Sequence, residues 1–164
     1  MEKIAIKLKK VEEVNREDIK KVMEFLHNFA DKCHHGKEED ILFPAMVSHG
    51  IPKESGPIAA MLNEHQLGRE YIKSLSSAFE KFKGGNKLAI NSIISSSNSY
   101  VELLRNHIKK ENNILFIMAD NVLNETEQSK IFDAFEKLEV EKIGIGKHEE
   151  YHHLLKELKS IYLH

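Results

Sequence analysis

His34-His35-Gly36-Lys37-Glu38-Glu39-Asp40-Ile41-Leu42-Phe43-Pro44 sets a histidine and a carboxylate four residues apart in a stretch that reads as helix. A second copy, His107-Ile108-Lys109-Lys110-Glu111, runs into Ile114-Leu115-Phe116. Residues four apart on a helix share a face, so each copy aims an imidazole and a carboxylate at one point of a bundle core. Either copy alone is weak, since such a pair is commonplace on solvated helix faces. Two copies on separate helices point to a metal site.

The chain around these motifs suits a helical bundle. Its 164 residues, 41% of them hydrophobic, suffice for one sizeable core, and a single domain over residues 1–164 is expected. Glycine and proline are scarce and fall between periodic stretches, while alternating β-branched residues are nearly absent, so the reading is all-helical. A first, short helix is expected from Met1 to Glu13, carrying Ile4, Ile6, Leu8 and Val11. Asn15, with Asp18 three residues on, reads as the cap of a long second helix that passes through the first motif. Pro44 should distort or end its regular part.

Gly50, Pro52 and Gly56 punctuate the next connection, and Pro57 suits the first residue of a third helix that Gly84-Gly85 stops. A fourth helix is expected from Lys87 to Val122; it runs through the serine-rich Ser95 to Ser99 because Ile90, Ile93, Ile94, Tyr100 and Leu104 hold its phase. Asn124-Glu125-Thr126-Glu127 caps a shorter helix that ends before Gly144, and a terminal helix covers Lys147 to Tyr162. The expected architecture is an up-down four-helix bundle with a shortened first helix and additional C-terminal helices.

Helical phase sorts the polar residues. At about 100° per residue, Tyr100, Leu104, His107, Glu111, Ile114, Leu115 and Met118 share a face. His34 and Glu38 group with Ile41, Leu42 and Ala45, whereas Glu39 falls well off that face. The third helix carries Ile58, Met61, His65, Gly68, Ile72, Leu75, Phe79 and Phe82 at spacings of three and four, which makes His65 a third inward imidazole. Three imidazoles and two carboxylates directed into one core oppose its stability unless a cation compensates them. Imidazole and carboxylate donors without thiolate fit iron, manganese or zinc better than copper(I) or an iron–sulfur cluster. Glutamates from two helices invite a pair of bridged ions, and hence a di-iron centre.

Other partners find little support. A net charge of −2, with both signs interspersed, offers no basic stripe for nucleic acid. No apolar run approaches a membrane span, and the N-terminus lacks the apolar region of a signal peptide, so no membrane partner and a cytoplasmic location are expected. Cys33, the only cysteine, excludes an intramolecular disulfide and reads as a small core residue.

The first motif, with Leu42-Phe43-Pro44 after it, Glu64-His65 in the third helix and His107 to Glu111 in the fourth, resembles the hemerythrin-like family and its cation-binding domain. The likeness runs from the first helix to the end of the fourth. It implies that His34, His65 and His107 bind iron terminally and that Glu38 and Glu111 bridge two irons. Family members usually carry another histidine ligand on a longer first helix, but here no histidine precedes His27. The resemblance therefore leaves a mononuclear site, a dinuclear site or a substitute ligand open. Asn112 stands where some relatives have their carboxylate ligand, and Ile117 where a proline matching Pro44 is expected, so Glu111 is chosen. His148 and His152 either close the bundle beside the iron, or supply the missing ligand, or are partly exposed interfacial residues, the last reading being favoured.

The resemblance implies binding of dioxygen or another small ligand, or of iron itself, for carriage, sensing or storage. The alternatives are a di-iron oxidase or peroxidase, a nitric-oxide-consuming enzyme, or a helical interaction module with a degenerate site. No substrate pocket, nucleophile or acid–base pair marks an enzyme. The short first helix also leaves a seam that favours a homodimer.

Overall fold

The computed structural model describes residues 1–10 and 12–163. Among these there are six helices and no strand. Helix α1 is Glu2–Lys9. It is shorter than the expected Met1 to Glu13, because residues 12–15 are non-helical and turn the chain so that Asn15 takes the extended conformation of an N-cap. Ile4, Ala5 and Leu8 face inward, whereas Ile6 is 41% exposed. Val11 lies outside the described residues.

Helix α2 is a continuous rod over residues 16–48 in which the hydrogen-bonding register changes along its length. Arg16–Phe25 is α-helical, Leu26–His35 and Glu38–Leu42 have the wider i→i+5 register, and Phe43–Ser48 is α-helical again. Asn15 caps the rod by accepting from the Glu17 backbone N–H at 2.9 Å. Asp18 does not return a reciprocal bond; it accepts 2.7 Å from the Tyr162 hydroxyl instead. Pro44 comes just after the second wide turn, in the first turn of the resumed α-helix, and does not end the rod.

Helix α3 is Gly56–Lys83, with Pro57 in its first turn, and Gly85 leaves it in the left-handed conformation at φ 95°. Helix α4 is a rod over residues 89–122: Ala89–Lys110 is α-helical, Glu111–Leu115 is a third wide turn, and Phe116–Val122 resumes the α-helix. The serine-rich stretch stays helical, with Ser97 and Ile93 fully buried. The wide turn rotates the last part of the rod about its axis, so Leu115 and Ala119 are buried while Ile114, expected on the inner face, is 45% exposed. Helix α5, Glu125–Lys142, opens with a complete capping box between Asn124 and Glu127. Helix α6 is Lys147–Tyr162.

Helices α1 to α4 form the up-down bundle, and α5 and α6 pack on α2. Among the described residues, no helix is long and apolar enough to cross a membrane. The core divides into two apolar clusters. One contains Leu8, Ile19, Leu26, Leu75, Phe79, Ile93 and Tyr100; the other contains Leu42, Phe43, Met46, Ile58, Met61 and Leu115. Along α2, α3 and α4 alike, a buried polar layer separates the part of the helix that serves the first cluster from the part that serves the second. That layer is His35, Glu38, His65, His107 and Glu111, each 5% exposed or less.

Candidate metal centre

Three rods supply the polar layer, and each does so where its apolar stripe is interrupted. His65 projects from the regular α3, four residues after Met61 and seven before Ile72. His107 lies in the last turn of the regular part of α4, and Glu111 opens its wide turn. Glu38 likewise opens the second wide turn of α2. Wide turns of this kind recur at functional sites because they redirect a side chain without breaking the helix.

The five residues expected from the sequence converge. His34 Nε2 lies 3.1 Å from Glu111 Oε1 and 3.9 Å from Glu38 Oε2. His107 Nε2 lies 2.9 Å from Glu111 Oε1, and His65 Nε2 lies 3.1 Å from Glu38 Oε2. Each carboxylate thus sits between imidazoles from different rods. Donor atoms of His34, Glu38, His107 and Glu111 all lie within 4.8 Å of one another, as do those of His35, His65 and His107.

Sequence reasoning missed His35. Its ring is stacked on His65 with centroids 3.8 Å apart, and burial outweighs the Asp31 hydrogen bond to hold its pKa below the ordinary histidine value. At α-helical phase, adjacent residues diverge too far for His34 and His35 to reach one centre. The i→i+5 register of Leu26–His35 turns the chain less per residue and brings both rings toward it. His34 keeps the outer place, its side chain 44% exposed against 6% for His35.

Carboxylates hold the far side of each buried ring. His65 Nδ1 donates to Glu39 Oε1 at 2.7 Å, His107 Nδ1 to Glu64 Oε2 at 3.0 Å and His35 Nδ1 to Asp31 Oδ1 at 3.3 Å. Arg69 fastens two of these anchors, donating to Asp31 through Nε and to Glu39 through Nη2, both at 2.7 Å, and Lys110 pairs with Glu64. Burial would raise the Asp31 and Glu39 carboxyls, but hydrogen bonds from the histidines and Arg69 prevail and hold both below the usual range. With Nδ1 occupied as a donor, a neutral ring presents Nε2 as a lone pair toward the centre. This arrangement, a carboxylate orienting a histidine whose other nitrogen faces inward, is the one metal-ligating histidines adopt.

Burial works against ionisation of Glu111, yet the adjoining imidazoles of His107 and His34 lower its pKa far below that of an ordinary glutamate. Both oxygens of Glu38 and the Nε2 atoms of His65 and His107 are buried without a hydrogen bond, the short separations above being out of line for one. Burying such groups unsatisfied costs several kcal/mol, so a cation in their midst is the chemical complement of the set.

The remaining candidates lie elsewhere. Cys33 is 2% exposed and packs near Glu139 as a core residue. His148 bonds to Glu139, and His152 to His148, so neither joins the buried donors. No curated protein and no solved structure gives a significant match to the chain. The model of one protein family, described as the hemerythrin HHE cation-binding domain, matches residues 2–119. That span holds all the converging donors, and the chain belongs to the hemerythrin HHE cation-binding family.

Proposed function

We propose that the chain binds iron at this centre, two ions between α2, α3 and α4, and uses it to bind dioxygen or a comparably small ligand for carriage, sensing or storage. The observation that carries this reading is the set of orphaned donors: two Glu38 oxygens and the Nε2 atoms of His65 and His107, buried and without hydrogen bonds. Imidazole and carboxylate donors suit iron, and the positions of Glu38 and Glu111 between imidazoles of different rods suit bridging. His35 supplies the imidazole that relatives take from a longer first helix. It is the additional ring buried beside His65 and His107.

Bound iron would supply redox-active electrons and open coordination positions. The chain supplies selection and exclusion. Phe43, Met46 and Leu115, each 2% exposed or less, close the layer on the side of the second cluster and keep bulk water away. A small ligand reaches the centre past His34, the one half-exposed donor of the set. Asp31, Glu39 and Glu64 hold the buried rings in place, so ligand binding requires little rearrangement.

The test is elemental analysis of protein purified under reducing conditions, with optical spectra before and after oxygen. Two irons per chain and a near-ultraviolet band that appears with oxygen support the reading. Protein that retains no iron and shows no oxygen-dependent band overturns it.

A further inference from the structure

Outside the buried donor set, α6 carries His148-Glu149-Glu150-Tyr151-His152, whose two histidines sit four residues apart on one helix face. His148 Nδ1 lies 2.9 Å from Glu139 Oε1, and Glu139 is itself held by Lys37. A carboxylate only accepts, so Nδ1 of His148 carries the proton and its Nε2 presents a lone pair. That lone pair faces His152 Nε2 at 2.8 Å. The His148 ring is fixed further by edge-on contact with Phe29, centroids 5.4 Å apart. Two imidazole nitrogens thus share one proton, with the first ring oriented by a carboxylate as in metal sites.

From this geometry we propose that His148 and His152 form a second, surface site for a divalent transition ion of the zinc, nickel or copper class, oriented by Glu139 and separate from the buried centre. The ion takes the place of the proton between the two Nε2 atoms, and that proton, the single one of the neutral His152 ring, moves to His152 Nδ1. Nitrogens bound to one tetrahedral ion stand about 3.3 Å apart, so the rings open by only about half an ångström. The imidazole donors favour these ions over magnesium or calcium. The order His-Glu-x-x-His is also that of zinc-binding helices. No third protein donor converges on the pair among the described residues, which leaves the other positions to water.

Cu2+ titrated into the full chain, followed by calorimetry and electron paramagnetic resonance, tests the proposal. Wild-type protein should take up one more equivalent than His148→Ala or His152→Ala, with hyperfine structure from two nitrogens. His153→Ala, on the neighbouring exposed position, should leave that equivalent intact, and Glu139→Gln should weaken it by roughly tenfold or more. His65→Ala should retain it, which separates this site from the buried one. The same uptake in wild type and His148→Ala at unchanged helical content overturns the proposal, as does an equal loss in His153→Ala.

Discussion

Helices α2 and α4 carry the same device in two versions. Each widens over five residues that begin at a buried glutamate, Glu38–Leu42 in one and Glu111–Leu115 in the other. Each then continues with a phenylalanine, but Phe43 is followed by Pro44 and Phe116 by Ile117. The wide turn forms with or without the proline. What the two turns share is a glutamate at the start and a buried leucine at the end, one facing the donor layer and the other the second apolar cluster. The rods differ upstream. Helix α2 is also wide over Leu26–His35 and brings two consecutive histidines toward the centre, whereas α4 is regular there and buries His107 alone, between exposed Asn106 and Ile108.

The sharpest way to break this comparison is to remove the matching histidine from each rod. His107 lies between Glu64 and Glu111 and is buried, while His34 is half exposed. His107→Ala should lower iron affinity by more than the roughly 10- to 100-fold typical of losing a residue that merely orients a ligand. His34→Ala should cost about tenfold or less, since water reaches the vacated position. His49→Ala is the control. Iron per chain after desalting measures all three, and equal losses for His107 and His34 would remove the distinction between inner and outer rings.

The carboxylate anchors offer the next test. Arg69 fastens the anchors of both His35 and His65, whereas Lys110 fastens only that of His107. Arg69→Leu should therefore lower iron affinity about 10- to 100-fold, and Lys110→Met should sit at or below the lower end of that range. Competition against a chelator measures both. A larger loss for Lys110→Met would mean that His107 depends on its single anchor more than His35 and His65 depend on theirs.

The two bridging candidates should respond oppositely in metal-free protein. Glu38 is buried with neither oxygen hydrogen-bonded, while Glu111 is held ionised by two histidines. Glu38→Gln removes a buried charge whose oxygens accept no hydrogen bond and should stabilise the apo chain by about 1–3 kcal/mol; Glu111→Gln should destabilise it by a similar amount. Thermal unfolding in the presence of chelator reads both signs. The same sign for both would show that the glutamates are equivalent before metal arrives.

Much of this was legible in the sequence because it depends on spacing. The stripe of α3 is regular from Ile58 to Phe79, so α-helical phase placed His65 in the core. The Asn124 and Glu127 box appears as its residue types require. Phase failed where the register changes: it left out His35 after one wide stretch and put Ile114 inside after another. It also gave no hint that Arg69 binds two anchors at once, because Asp31 and Glu39 come from a different helix. The first helix ended early for a different reason. The reversal into α2 needs non-helical residues up to an extended Asn15, and the apolar pattern of α1 does not record that need.

The role of proline is the smallest effect and the most direct test of the comparison. Ile117 stands six residues after Glu111, as Pro44 does after Glu38, and it is 52% exposed. Proline inside a regular helix costs about 3 kcal/mol because it removes a backbone donor and its ring strikes the carbonyl four residues earlier. Just after a wide turn that carbonyl has already moved, so Ile117→Pro should cost less than about 1 kcal/mol, whereas Arg105→Pro in the regular part of α4 should cost the full amount. Chemical denaturation compares the two. A similar loss in both would mean that the Glu111 turn cannot accommodate the ring, and that Pro44 is tolerated only because Leu26–His35 has already loosened the register of α2.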